Sequence, residues 1–123
     1  MRSKMRDHLL PAEARAPDNP RFHLKHGSGG IVDIEFMVQF MVLAWGHAHP
    51  ALTRWSDNIR ILESLAESGL FSAEDAEGLM SAYKRYRARA HLLALRREPA
   101  LVPDDEFVAE RALVSGLWRR LLG

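Results

Sequence analysis

Asp33, Glu35 and Gln39 stand inside a strongly apolar run, Ile31-Val-Asp-Ile-Glu-Phe-Met-Val-Gln-Phe-Met41. Carboxylates in apolar surroundings are costly unless they meet Arg or Lys, accept hydrogen bonds or bind a metal. At about 100° per residue, Glu35 and Gln39 share one stripe of a helix, while Asp33 points elsewhere in its first turn. Immediately upstream lies Lys25-His-Gly-Ser-Gly-Gly30. A glycine-rich turn feeding a helix start has the shape of a phosphate cradle, in which backbone N–H groups face the anion. The run nevertheless matches neither the P-loop, which ends in Lys-Ser/Thr, nor the dinucleotide fingerprint, which follows a strand. Asp33 would also repel a bare phosphate. A tight turn that packs its backbone against a neighbour is the better reading of Gly27, Gly29 and Gly30.

The remaining candidates are weaker. Arg60 and Arg87 are available as internal partners for Glu35. His47-x-His49 lies beside Pro50, and His91 lies within a long helical run. No HExxH and no second Glu-x-x-His accompanies them, so zinc and di-iron signatures are absent. His8, His23, His47 and His49 read as surface or capping residues. A metal-dependent bundle enzyme built on Asp33, Glu35 and His91 is the least supported alternative. Arg85, Arg87, Arg89, Arg96 and Arg97 are dispersed around their helix, which makes a solvated face the default; contact with an acidic partner or a nucleotide phosphate is the functional version.

The elements that would position these groups are helices. Ile34, Val38, Met41 and Trp45, widened by Met37, recur at helical spacing, and Phe36, Phe40 and Leu43 line a second side. A helix apolar on two sides, from about residue 30 to 46, is expected to be central and covered by neighbours. Ser56 or Asp57 caps the next helix, with Ile59, Leu62 and Leu65 or Ala66 inward, and Gly69 ends it. Ser72-Ala-Glu-Asp75 resembles a capping box and opens the longest helix, to about residue 97, with Leu79, Tyr83, Tyr86, Ala90 and Leu93 as its core stripe. Asp104 is expected to cap a last helix that turns Phe107, Val114, Leu117, Trp118 and Leu121 inward. Short connections predict antiparallel neighbours. Pro11, Pro17 and Pro20 break any helix before them. The expected architecture is all-α: an antiparallel bundle of four main helices over residues 25–123, preceded by a helix end and proline-rich linker over residues 1–24. No alternating strand pattern stands out.

Composition sets the outer bounds. A chain of 123 residues with 47% hydrophobic and 27% charged residues fits one soluble globular domain. A net charge of +1 argues for neither nucleic acid nor anionic membrane as partner. The absence of cysteine excludes disulfides and thiolate catalysis and is compatible with a cytoplasmic location. No apolar run reaches the ~18 residues of a membrane span, and the polar start is no secretory signal.

The run 25–39, KHGSGGIVDIEFMVQ, resembles the carboxyl-terminal helical region of bacterial glutamine synthetase adenylyltransferases. The similarity continues through Ser56-Asp57-Asn58-Ile59-Arg60-Ile61-Leu62 and Ser68-Gly69-Leu70-Phe71. It extends to Tyr83…Arg87…His91-Leu92…Leu95 and Glu110-Arg111…Val114…Trp118, covering nearly the whole chain. It implies a larger parent that transfers AMP from ATP, with magnesium, to a tyrosine of glutamine synthetase under control of the PII signalling protein. The helical domain would pack beside the upstream nucleotidyltransferase domain. Gly29, Gly30, Asp33, Glu35 and Gln39 would line a nucleotide or protein-substrate site, and Arg60, Arg87 and His91 would form a polar network, His91 partly buried. Asp33, nearest the glycine turn, is the favoured site carboxylate.

In that family a Gly-Ser turn and an Asp-x-Asp pair on a strand hold the magnesium. Nothing in this chain matches that pattern: Asp104 and Asp105 are adjacent and begin a helix. The chain itself is expected to hold no cofactor and to catalyse nothing alone. A PII uridylyltransferase helical domain and a stand-alone helical interaction module are the alternatives. The DIEF…Q run and Glu110-Arg111…Trp118 favour the adenylyltransferase over the uridylyltransferase, and the gene separates the module: an in-frame Gly-Ser…Asp-x-Asp upstream speaks against it, whereas a stop codon and promoter there support it.

Overall fold

The computed structural model describes residues 21–45 and 57–123. In chain order the elements are β1 (Arg21–His23), α1 (Ile31–Trp45), α2 (Asn58–Glu67), α3 (Ala73–Leu95), β2 (Leu101–Pro103) and α4 (Val108–Leu122). The expected helical bundle is present, and both α1 and the long α3 pack against all three of the other helices. Ile34, Met37, Val38 and Met41 are fully buried there. They meet Ile61, Leu62 and Leu65 of α2, Leu79, Tyr83, Tyr86 and Leu93 of α3, and Val114 and Leu117 of α4 in one apolar cluster. The 3.6-residue spacing of these positions made the helices legible, because one face of each had to leave water.

Local signals set several boundaries. Asp57 accepts the N–H of Ile59 at 2.8 Å and starts α2; Ser72 accepts that of Asp75 at 3.3 Å and starts α3. Gly69, at φ +72°, turns the chain out of α2. The start of α4 departs from expectation. Its cap is Phe107, in the left-handed region at φ 59°, with no side-chain cap. Asp104 is instead held by Arg111, which donates to its carbonyl at 2.6 Å and its carboxylate at 3.2 Å.

Two further expectations are corrected. Residues 21–24 are not linker: Arg21–His23 pair antiparallel with Leu101–Pro103, and Phe22 and Leu24 are buried. Three-residue strands are too short to show an alternating pattern in sequence. The strand pair adds a small two-stranded ribbon to the helices; residues 1–20, with the expected amino-terminal helix end, lie outside the described residues. Second, the Phe36, Phe40 and Leu43 side of α1 is not covered by the described residues. These side chains are 55%, 37% and 83% exposed, and Phe36 leans on Trp118 at 5.3 Å between rings.

Candidate functional site

The glycine turn is built to close on itself. The N–H of Gly29 donates to the Asp33 carboxylate at 2.8 Å. Those of Gly30, Ile31 and Val32 donate at 2.9 Å to the carbonyls of Gly27, Leu24 and Lys25. The donors at the start of α1 that a phosphate cradle would offer are thus engaged within the chain. Gly29 has φ +83°, and a Cβ there would sit 2.7 Å from the carbonyl oxygen of Arg111. Gly30 would bring a Cβ to 2.6 Å from the Leu24 carbonyl oxygen. This is backbone packed against backbone, with buried Asp33 fastening it.

Glu35 sits differently. It projects into a cleft of about 570 Å³ between α1, α3 and the segment that leads into β2. Lys25, Glu35, Tyr83, Arg87, His91 and Glu98 are its polar lining, and Ile31, Val32 and small alanines of α3 complete it. The Tyr83 hydroxyl is the hub. It donates to Glu35 Oε2 at 3.2 Å and accepts from Asn58 Nδ2 at 3.2 Å and the Arg87 guanidinium at 3.4 Å. One proton and two lone pairs are all a phenol can offer, and each is used. The Arg87 guanidinium also lies over the Tyr83 ring, 5.5 Å from its centre.

The expected site residues therefore divide. Glu35, Arg87 and His91 meet in the cleft; Gly29, Gly30, Asp33 and Gln39 are not among its lining. Gln39 is exposed one turn further along α1. Arg60 is exposed on α2 and faces Glu63 at 3.9 Å. His91 is exposed rather than partly buried and makes no hydrogen bond to a described residue. Among the described residues no three His, Asp or Glu side chains converge as metal ligands.

Tyr83, on the core stripe of α3, also reaches the cleft, where Asn58 bonds it and Lys25 lines the wall, two residues not among the expected site residues. The available signal was Tyr83, Arg87 and His91 at successive i, i+4 steps, one face of α3 leaving the core. The other buried tyrosine makes the contrast. Tyr86 packs against Phe22 and Phe107, its hydroxyl has no hydrogen-bond partner among the described residues, and burial, followed by Glu110, pushes its pKa up.

Beside this geometry stand the relatives. Residues 1–117 match the family model described as GlnD PII-uridylyltransferase. The chain belongs to that family. A bifunctional glutamine synthetase adenylyltransferase/adenylyl-removing enzyme of Pseudomonas aeruginosa is 51% identical over 98% of this chain and 13% of its own length. Enzymes of the same name from Acinetobacter baylyi and Nitrosococcus oceani are 49% and 48% identical over 99% of the chain, and 13% and 12% of theirs. The resemblance carried by residues 25–39 and the later motifs is thus to true relatives, and their names favour the adenylyltransferase over the uridylyltransferase reading. The chain spans about an eighth of the length of these curated relatives. Among the described residues no helix is long and apolar enough to cross a membrane.

Proposed function

We propose that this domain forms one wall of the substrate site in a glutamine synthetase adenylyltransferase, a cytoplasmic enzyme that moves AMP from ATP onto glutamine synthetase and removes it again. The observation that carries this reading is the Glu35–Tyr83–Arg87 cleft, whose rim at Val32 begins the uncovered apolar stripe Val32, Phe36, Phe40 and Leu43. A polar cleft bordered by an exposed apolar stripe suits a site completed by a second domain. The upstream nucleotidyltransferase domain of the longer protein is the proposed occupant of the stripe, and control by the PII protein acts at the level of that longer protein.

Magnesium does not fit the described residues of this chain. Asp104 is engaged by Arg111, and Glu35 and Glu98 share the cleft with Lys25 and Arg87 rather than forming a carboxylate pair. The metal and the transfer step therefore belong to the upstream domain, and this domain contributes binding and orientation. Glu35 offers an acceptor for a hydroxyl or amine of the substrate, and Arg87 and Lys25 offer donors to an anion.

The test is transfer by the longer protein bearing Glu35→Gln or Arg87→Ala. Each is expected to slow AMP transfer to glutamine synthetase about ten-fold or more, roughly the 1.4 kcal/mol of one charge-assisted hydrogen bond. The 123-residue chain alone is expected to transfer none. Normal rates in both folded variants, or transfer by the isolated chain, would overturn the reading. Because the family model carries the uridylyltransferase description, PII and UTP serve as the competing acceptor and donor. Transfer of UMP to PII in place of AMP to glutamine synthetase would favour that assignment.

A further inference from the structure

The arginines of the helical face are not equivalent. Arg85 is held by Glu110 at 2.8 Å, Arg89 by Glu106 at 3.3 Å, and Arg120 by Asp75 at 3.1 Å. Arg87 lies between the first two on α3, yet no carboxylate of a described residue reaches it within ion-pair distance, although Glu35 lines the same cleft. Both instead contact one atom, the Tyr83 hydroxyl, which donates to the carboxylate and accepts from the guanidinium. An acid and a base this close would gain by moving together in a half-open cleft. The phenol, fixed by a ring only 4% exposed and by Asn58 on α2, stands between them. A guanidinium whose polar contacts among the described residues are a long 3.4 Å bond and a ring face retains most of its five donors for something else. Lys25 faces the same space without an ion pair to a described residue.

We propose that Tyr83 is a positioning residue: its hydroxyl keeps Glu35 and Arg87 apart, so that Arg87, with Lys25, stays open to a phosphate-bearing end of the ligand. The assignment rests on the reading of the cleft as a substrate-site wall and names the chemistry that Arg87 receives. Glu35, on the opposite side of the hydroxyl, is left to accept from hydroxyl groups on the rest of that ligand. A phosphorylated sugar carries both groups. This arrangement also explains why Glu35 and Arg87, which line one cleft, form no direct ion pair with each other.

Inorganic tripolyphosphate, titrated into the 123-residue chain at low salt and followed by calorimetry, tests it. Arg87→Ala is expected to lose binding about ten-fold, and Arg85→Ala, whose partner is Glu110, to leave it unchanged. Tyr83→Phe keeps the buried ring but removes the spacer, so Glu35 captures Arg87 and affinity falls by a similar factor, about one decade per 1.4 kcal/mol. The double variant Tyr83→Phe/Glu35→Gln removes the captor and is expected to restore binding, which loss of structure alone would not do. No tripolyphosphate binding by the wild-type chain, equal weakening by Arg85→Ala, unchanged binding by Tyr83→Phe, or failure of the double variant to recover would each overturn the proposal. These outcomes concern the chain and a bare anion. They are separate from the AMP-transfer assay that tests the wall reading.

Discussion

Asp33 and Glu35 are two residues apart and carry the same functional group, yet their surroundings give them different work. Asp33 is 3% exposed and accepts the Gly29 N–H, fastening the turn against the Arg111 backbone. Glu35 is half-buried at the cleft, tied to a hydroxyl from another helix. Asp33, the favoured site carboxylate on sequence, thus lies outside the cleft lining, and Glu35 is part of it. Asp33→Asn keeps the volume but replaces a charge-assisted hydrogen bond with a neutral one. A loss of about 1–2 kcal/mol, read as a lower urea midpoint at unchanged slope, is expected. Glu35→Gln, whose partner is a half-open phenol network, is expected to change stability by less than half as much. Equal midpoints for wild type and Asp33→Asn would remove Asp33 from the structural account.

At the scale of the element, α1 shows how far amphipathic spacing can be trusted. Its inner stripe was legible because apolar residues recur every three to four positions. The second apolar side, Phe36, Phe40 and Leu43, invited the same inference of burial, and the described residues leave it open. Sequence cannot distinguish an apolar face covered by its own domain from one awaiting another, since both have the same pattern. The two faces differ in energy, and mutation separates them. Met37→Ala, at a fully buried position, is expected to cost about 2–5 kcal/mol in this chain. Leu43→Ser, at an 83% exposed position, is expected to stay within about 0.5 kcal/mol. Thermal melts of the two variants check this; a large loss for Leu43→Ser would mean that the chain itself buries that face.

For the whole molecule, the β1–β2 ribbon ties residues 21–23 to residues 101–103 and carries the glycine turn with it. His23 sits at that junction. Its Nδ1 accepts the N–H groups of Lys25 and His26 at 3.2 and 3.1 Å. Burial first, then the charges of His26 and Lys25, lower its pKa below the ordinary 6.5. The folded state thus holds His23 neutral, while the unfolded chain takes up a proton near pH 6.5. The corresponding stability is complete above that value and is lost as the pH falls from about 6.5 through the lower folded value. Stability measured from pH 7.5 to 5 is expected to decline, and to decline less steeply in His23→Gln, where no proton can be taken up at that site. Identical slopes in the two proteins would show that the turn does not sense protonation.

The chain's own pattern determined the helices, their order and the principal caps, because these depend on spacings of three or four residues and on local hydrogen bonds. It also determined the family resemblance, through the run 25–39. Tertiary structure alone decided which carboxylate reaches a cleft. Residues 35, 58, 83 and 87 come from three helices, and their meeting depends on how those helices pack. The same holds for the ribbon, whose strands are separated by 77 residues of chain. Its short strands carry no periodicity of their own, and they exist because the bundle brings their backbones within hydrogen-bonding distance.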